Sequence, residues 1–173
     1  MIPYCLPPAM YVSLAGFVTI ASLGELAILC GRPWLFPSLG PTAFLMFYAP
    51  LSDTASPRHT ICGNGIGIAC GWLALWITGL TMAGPVDPTT MGHARVLAAA
   101  LALSATGGFM VLTRNVHPPA GATTLIIALG LITRAEDLIL IELAIVVLVF
   151  EALIINRLAG IAYPIWNPRR INL

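Results

Sequence analysis

Asn115-Val116-His117-Pro118-Pro119-Ala120-Gly121-Ala122-Thr123-Thr124 interrupts an otherwise apolar sequence with groups that hydrocarbon rejects. Arg114 precedes it, and apolar-dominated residues follow as far as Thr133. The two prolines remove two backbone donors and disfavour helix in the residue before each. Gly121 permits a sharp bend. Proline is favoured in a first helical turn, so a short helix is expected at or just after Pro118-Pro119. Its free N–H groups and positive dipole end would lie beside Arg114, Asn115, His117, Thr123 and Thr124. Such a helix start is a ready anion site.

A weaker copy lies upstream. Pro37-Ser38-Leu39-Gly40-Pro41-Thr42 aligns without a gap with Pro118-Pro119-Ala120-Gly121-Ala122-Thr123, and both read Pro-x-x-Gly-x-Thr before an apolar run. Arg32 precedes the first copy as Arg114 precedes the second. Each copy also follows one long apolar segment and precedes another.

The composition excludes most other classes. Of 173 residues, 58% are hydrophobic and 9% charged, against about 25% charged in soluble domains. The expectation is one polytopic transmembrane domain over residues 1–173. A net charge of +1 gives no nucleic-acid footprint. Cys5, Cys30, Cys62 and Cys70 form no C-x-x-C pair and read as small buried residues, so neither a disulfide nor a metal is expected. The N-terminus lacks a basic stretch and a cleavage site, so no removable signal peptide is expected.

The fold class is all-α: a helical bundle of four full spans at 9–31, 61–83, 95–113 and 138–159, plus two short broken segments. The halves 9–83 and 95–159 form an internal repeat. Asp53, Ser56 and Thr60 are candidate caps for the second span. Gly63, Gly67 and Gly71 give that span a stripe on which another helix can approach closely. Ala100, Ser104 and Gly108 make the third span its expected partner. Tyr163 and Trp166 fit an interfacial belt. Glu142 and Glu151 point to opposite faces of the fourth span, Glu142 nearer an end and interfacial.

Two topologies compete. Broken segments that dip and return give parallel halves; segments that cross give three crossings per half and therefore inverted halves. Crossing puts Arg58, Arg114, Arg157, Arg169 and Arg170 on one side, against Arg32, Arg95 and Arg134. The positive-inside rule then places both termini in the cytoplasm. We favour inverted halves, the arrangement in which transporters use paired broken helices.

The two runs around these segments resemble the HPP family of small integral membrane proteins. Its His-Pro-Pro motif is His117-Pro118-Pro119, and the second matching run is Ser38-Leu39-Gly40-Pro41-Thr42-Ala43, continuing to Pro57-Arg58 and Gly63. The resemblance covers nearly the whole chain. It implies four transmembrane helices and, from plant-chloroplast and cyanobacterial members, nitrite transport.

These readings converge on a transporter or channel for a small inorganic anion such as nitrite, embedded in lipid as a homo-oligomer. Expected substrate-binding residues are Gly40, Thr42, Asn115, His117, Gly121, Thr123 and Thr124. Glu25, Arg58, Arg114 and Glu151 are the gating or coupling candidates. The alternatives are a channel for a neutral solute, and a non-transporting membrane subunit or sensor. No cofactor and no enzymatic activity are expected, because no metal-ligand spacing, nucleophile elbow or phosphate loop is present. The expected location is a bacterial inner membrane.

Overall fold

The computed structural model describes residues 6–87 and 91–167. Among them the chain forms α1 (Pro8–Cys30), α2 (Leu39–Tyr48), a 3-10 turn (Asp53–Ala55), α3 (Pro57–Ile77), α4 (His93–Leu112), α5 (Ala120–Ala128) and α6 (Ala135–Leu158), with no strand. The four long helices have 23, 21, 20 and 24 residues. At about 1.5 Å per residue each reaches or exceeds the roughly 30 Å of a hydrocarbon core.

Local chemistry moves two boundaries from those expected. α3 begins at Pro57, not at residue 61, because proline takes a first-turn position and brings Arg58, His59 and Thr60 into the helix. It ends at Ile77, short of residue 83, and Gly79 then turns the chain at φ 71°. The expected side-chain caps do not form. Ser56 stands at the start of α3, but its hydroxyl donates to Asp53 O instead, at 2.8 Å.

The direction of each segment follows from its end contacts. Tyr11 Oη donates to Asn156 Oδ1 at 2.9 Å, and Asn156 Nδ2 to Met46 O at 3.3 Å. The starts of α1 and the ends of α2 and α6 therefore share one face, called here the terminal face. Arg58 joins it through Asn115 Oδ1 at 3.0 Å and through its own N–H to Trp166 O at 3.1 Å. On the far face, Arg32 at the end of α1 pairs with Glu136 at the start of α6 at 3.2 Å. There too Val86 N–H donates to Leu129 O at 3.0 Å, beyond the end of α5.

Residues 31–48 thus run from the far face back to the terminal face, and residues 113–130 run the opposite way. Both broken segments cross. The first three helices and the last three have opposite directions. α2 packs against α1 and α6, and α5 against α4 and α3, so each short helix touches the first long helix of its own half and the last long helix of the other. The two short helices also begin at aligned positions, Leu39 after Ser38 and Ala120 after Pro119.

The two groups are held differently. α1, α2 and α6 share an apolar core with Leu23, Phe47, Met46, Ile145 and Leu148 at its centre. Around α5, contact rests on glycine. A β-carbon added to Gly67 would stand 2.8 Å from Thr124 Oγ1 and 2.9 Å from Ala120 O, and one on Gly71 3.0 Å from Ile127 Cβ. The glycine stripe therefore receives α5, not the third span as expected. α4 presents Ala98, Ala102, Thr106 and Met110 inward and leaves Ala100, Ser104 and Gly108 exposed. The reason is reach: only the bare backbone of α3 admits a broken helix whose own backbone must be kept from lipid.

Other expectations also change. Tyr163 is not interfacial; it is fully buried and donates to Ala55 O at 2.6 Å. Trp166 is exposed. Cys30 is exposed rather than buried, Cys62 half-buried and Cys70 buried. Cys5, Arg169 and Arg170 lie outside the described residues.

We expect Gly67→Ala, a minimal change, to lower stability by about 1–3 kcal/mol, since overpacking forces backbone apart. Gly108→Ala, with open space at that point, should leave stability unchanged. Thermal unfolding of the two purified variants in lipid nanodiscs measures the difference; equal midpoints would contradict the contact.

Candidate functional site

The two short helices meet where they begin. Thr42 Oγ1 lies 3.3 Å from His117 Nε2. A β-carbon on Gly63 would stand 2.7 Å from His117 Cβ, and Gly67 near the middle of α3 touches Ala120. The starts of α2 and α5 therefore lie together beside the middle of a membrane-length helix. Neither short helix has an acidic residue in its first turn. The C-terminal end of α5 does have a counter-charge: buried Arg95 donates to Ala128 O at 3.3 Å and to Gly84 O at 2.8 Å. Gly130, at φ 78°, leaves the room this guanidinium needs, since a β-carbon there would stand 2.8 Å from Arg95 Nη1. α5 is thus neutralised at its negative end and uncompensated at its positive end.

The free N–H groups expected at the start of α5 are engaged. Ala120, Gly121 and Ala122 N–H each donate to the carbonyl three residues back, His117, Pro118 and Pro119, at 3.0 Å. This 3-10 start satisfies the donors that lipid cannot. The dipole remains; the loose donors do not.

The side chains form one internal network. His117 is fully buried, with Nδ1 2.7 Å from Thr54 O, so that nitrogen carries the proton and Nε2 faces the Thr42 hydroxyl. Thr123 Oγ1 donates to Asn64 Oδ1 at 2.7 Å, and Asn64 Nδ2 to Thr60 O at 2.9 Å. Thr124 Oγ1 lies 2.9 Å from Thr106 Oγ1 and 3.0 Å from Ala120 O. Thr42, Asn64, Thr106, Thr123 and Thr124 are all fully buried. Toward the terminal face, His59 bridges Asp53 O, through Nδ1, to Arg114 O, 2.8 Å from Nε2. Arg114 is the one described non-glycine residue at positive φ, 55°, where the chain turns out of α4.

Of the expected residues, Thr42, His117, Thr123 and Thr124 come together, with Asn115 and Arg58 paired at the rim. Gly40 is exposed and Gly121 half-buried. Glu25 is exposed on α1, away from the junction, and Arg114 is exposed. Glu151 lies on the α1 side of α6, its Oε1 2.6 Å from Ser22 Oγ. Glu142 is not interfacial: it is half-buried beside Gly65 of α3. Asn64, Thr106, Thr60 (expected only as a cap) and Arg95 (expected only at a membrane face) join the site unexpectedly. Asn64, a lone amide within Gly63-Asn64-Gly65-Ile66-Gly67, carried the signal.

On the outer side of the junction, Pro41, Phe44, Leu45, Pro118, Pro119 and Ala122 line an open crevice of about 420 Å³. The buried polar groups lie behind this apolar wall.

Four membrane-length helices and two paired half-helices define a polytopic integral membrane protein with broken crossing segments. The chain belongs to the HPP family, whose transmembrane-region model matches residues 4–164. It is also similar to a transmembrane protein of Dictyostelium discoideum, 29% identical over 140 residues. That match covers 76% of this chain and 45% of the relative, so the chain spans less than half of that protein. No solved structure matches.

Thr123→Val leaves the buried Asn64 oxygen without its donor, at a cost of about 1–3 kcal/mol. Asn64→Leu and Thr123→Val together should cost less than the sum of the two, a coupling of about 0.5–3 kcal/mol. Unfolding followed by tryptophan fluorescence reads both. A hydroxyl that only faced a pathway would leave stability unchanged, and that outcome would contradict the assignment.

Proposed function

We propose that this protein is a passage for a small inorganic anion, with nitrite as first candidate, and that the ion is met where α2 and α5 begin. One observation carries the reading: two helix N-termini converge beside the middle of α3, with no carboxylate in either first turn. Two positive dipole ends at that depth lower the cost of an anion where nothing else does. The family supports membrane residence, and its resemblance-based link to nitrite supplies the substrate class.

In this reading the crevice at Pro41 and Pro118 is one wall of the passage, and a second copy closes it. His117, Thr42 and Thr123 hold the junction rigid from behind, so their role is positioning. Arg58 and Arg114 stand at the terminal face as an attractive rim. In this reading that face is the cytoplasmic one and the membrane a bacterial inner membrane, in line with the positive-inside rule applied to the sequence. The apolar crevice lining favours one rival, a neutral small solute.

The test is flux through liposomes containing the purified full chain, with nitrite, nitrate, formate and chloride in turn. Uptake should be selective among these and respond to membrane potential. Ala122→Phe, which fills the crevice, should reduce it more than tenfold without loss of folded protein. Flux indifferent to potential would favour the neutral solute, and no flux of any anion would overturn the reading.

A further inference from the structure

Ser22 and Thr19 of α1 meet Glu151 of α6 in a second cluster of polar groups. Ser22 Oγ lies 2.8 Å from Thr19 O and 2.6 Å from Glu151 Oε1. A serine hydroxyl has one proton, a carbonyl has none, and an ionised carboxylate has none. With Glu151 ionised, two acceptors compete for one donor and one short contact is left unsatisfied. With Glu151 protonated, the carboxyl O–H donates to Ser22 Oγ and the Ser22 O–H donates to Thr19 O. Every contact in the chain is then made.

Two further groups complete the picture. Thr19 Oγ1 is fully buried and has no hydrogen-bond partner, and Glu151 Oε2 is a buried oxygen without one. Both belong to the same α1–α6 seam, with the Thr19 hydroxyl near this carboxyl but not bonded to it. The seam lies between the Tyr11–Asn156 contact near one end and the Arg32–Glu136 pair at the other. A permanent structural contact needs no spare hydroxyl and no spare carboxyl oxygen. A group that changes protonation does.

We infer that Glu151, with Ser22 and Thr19, is a proton-binding site within the membrane, occupied in the conformation described here. On release, the proton passes to water entering the α1–α6 seam. The Ser22 hydroxyl then turns from Thr19 O to Oε1, and the Thr19 hydroxyl turns to Oε2. The anion gains two donors in place of the lost proton. No described cation pairs with Glu151. α1 brings Tyr11 near one end, donating to Asn156, and the exposed Glu25 beyond Ser22. α2 brings exposed Tyr48. α3 brings Arg58 and His59, held by Asn115 and the Arg114 carbonyl, with Cys62 and Cys70. On α6 itself Glu142 faces α3, Glu136 pairs with Arg32, and Arg157 binds Tyr163 O. The proton site stands apart from the anion passage; only coupling of the two rests on the transport reading.

Infrared difference spectroscopy of the full chain in lipid nanodiscs tests the site directly. A protonated carboxyl has a C=O stretching band that a carboxylate lacks. At neutral pH the wild-type band should contain a component that Glu151→Gln removes and Glu142→Gln does not, and that disappears on alkaline titration. Ser22→Ala, which keeps the carboxyl, should shift that component to higher frequency through loss of a hydrogen bond. If Glu151→Gln removes only carboxylate absorption, or Ser22→Ala leaves the band unmoved, the assignment is wrong. In liposomes, Glu151→Gln should abolish any dependence of anion flux on a proton gradient. If wild-type protein moves no anion, the passage fails while the infrared result still decides the proton site.

Discussion

Between Asn115 and Pro119 the chain passes through the bundle without forming helix, and a bilayer offers no water to its peptide groups. Protein must supply every partner, and for that another backbone has to come close. Gly63, Gly67 and Gly71 make the approach possible: at each, one added carbon would stand within about 3 Å of His117, Ala120, Thr124 or Ile127. The rest follows from that contact. α5 lies along α3, its start falls beside the middle of α3, and His117 reaches both Thr54 O and the Thr42 hydroxyl of the other short helix.

Satisfying the break internally has an electrostatic consequence. The first donors of α5 are spent on the turn before it, so they hold the backbone and not a ligand. What remains is the aligned dipole. Arg95 cancels its negative end, and no carboxylate cancels its positive one. Directional donors are thus traded for a field, which suits a passage through which an ion must leave as easily as it enters.

Much of this was legible in the residues. The Pro-x-x-Gly-x-Thr pair located both short helices at aligned starts, because proline and glycine act locally. The pairing of two broken segments favoured crossing, as in transporters, and the end contacts at Arg32, Met46, Asn115 and Leu129 follow that path. The partner of the glycine stripe was not legible. Small residues every four positions occur on both α3 and α4, and spacing alone does not say which stripe receives a neighbour. Nor was the inward turn of Thr42, Thr123 and Thr124: a hydroxyl at a helix start looks the same in sequence whether it faces a pathway or an amide such as Asn64. The Ser22–Glu151 contact joins residues far apart in the chain, and only the packing of α1 on α6 reveals it.

The central claim is that both broken segments cross the membrane. Single cysteines placed at Ser52 and Arg32, and at Thr113 and Arg134, in a chain whose four native cysteines are replaced, test it through labelling by a membrane-impermeant thiol reagent in sealed, oriented vesicles. Crossing predicts that the two members of each pair label from opposite sides, with Ser52 and Thr113 on the same side as each other. Labelling of Arg32 and Ser52 positions from one side would mean that the segment turns back, and would contradict the account.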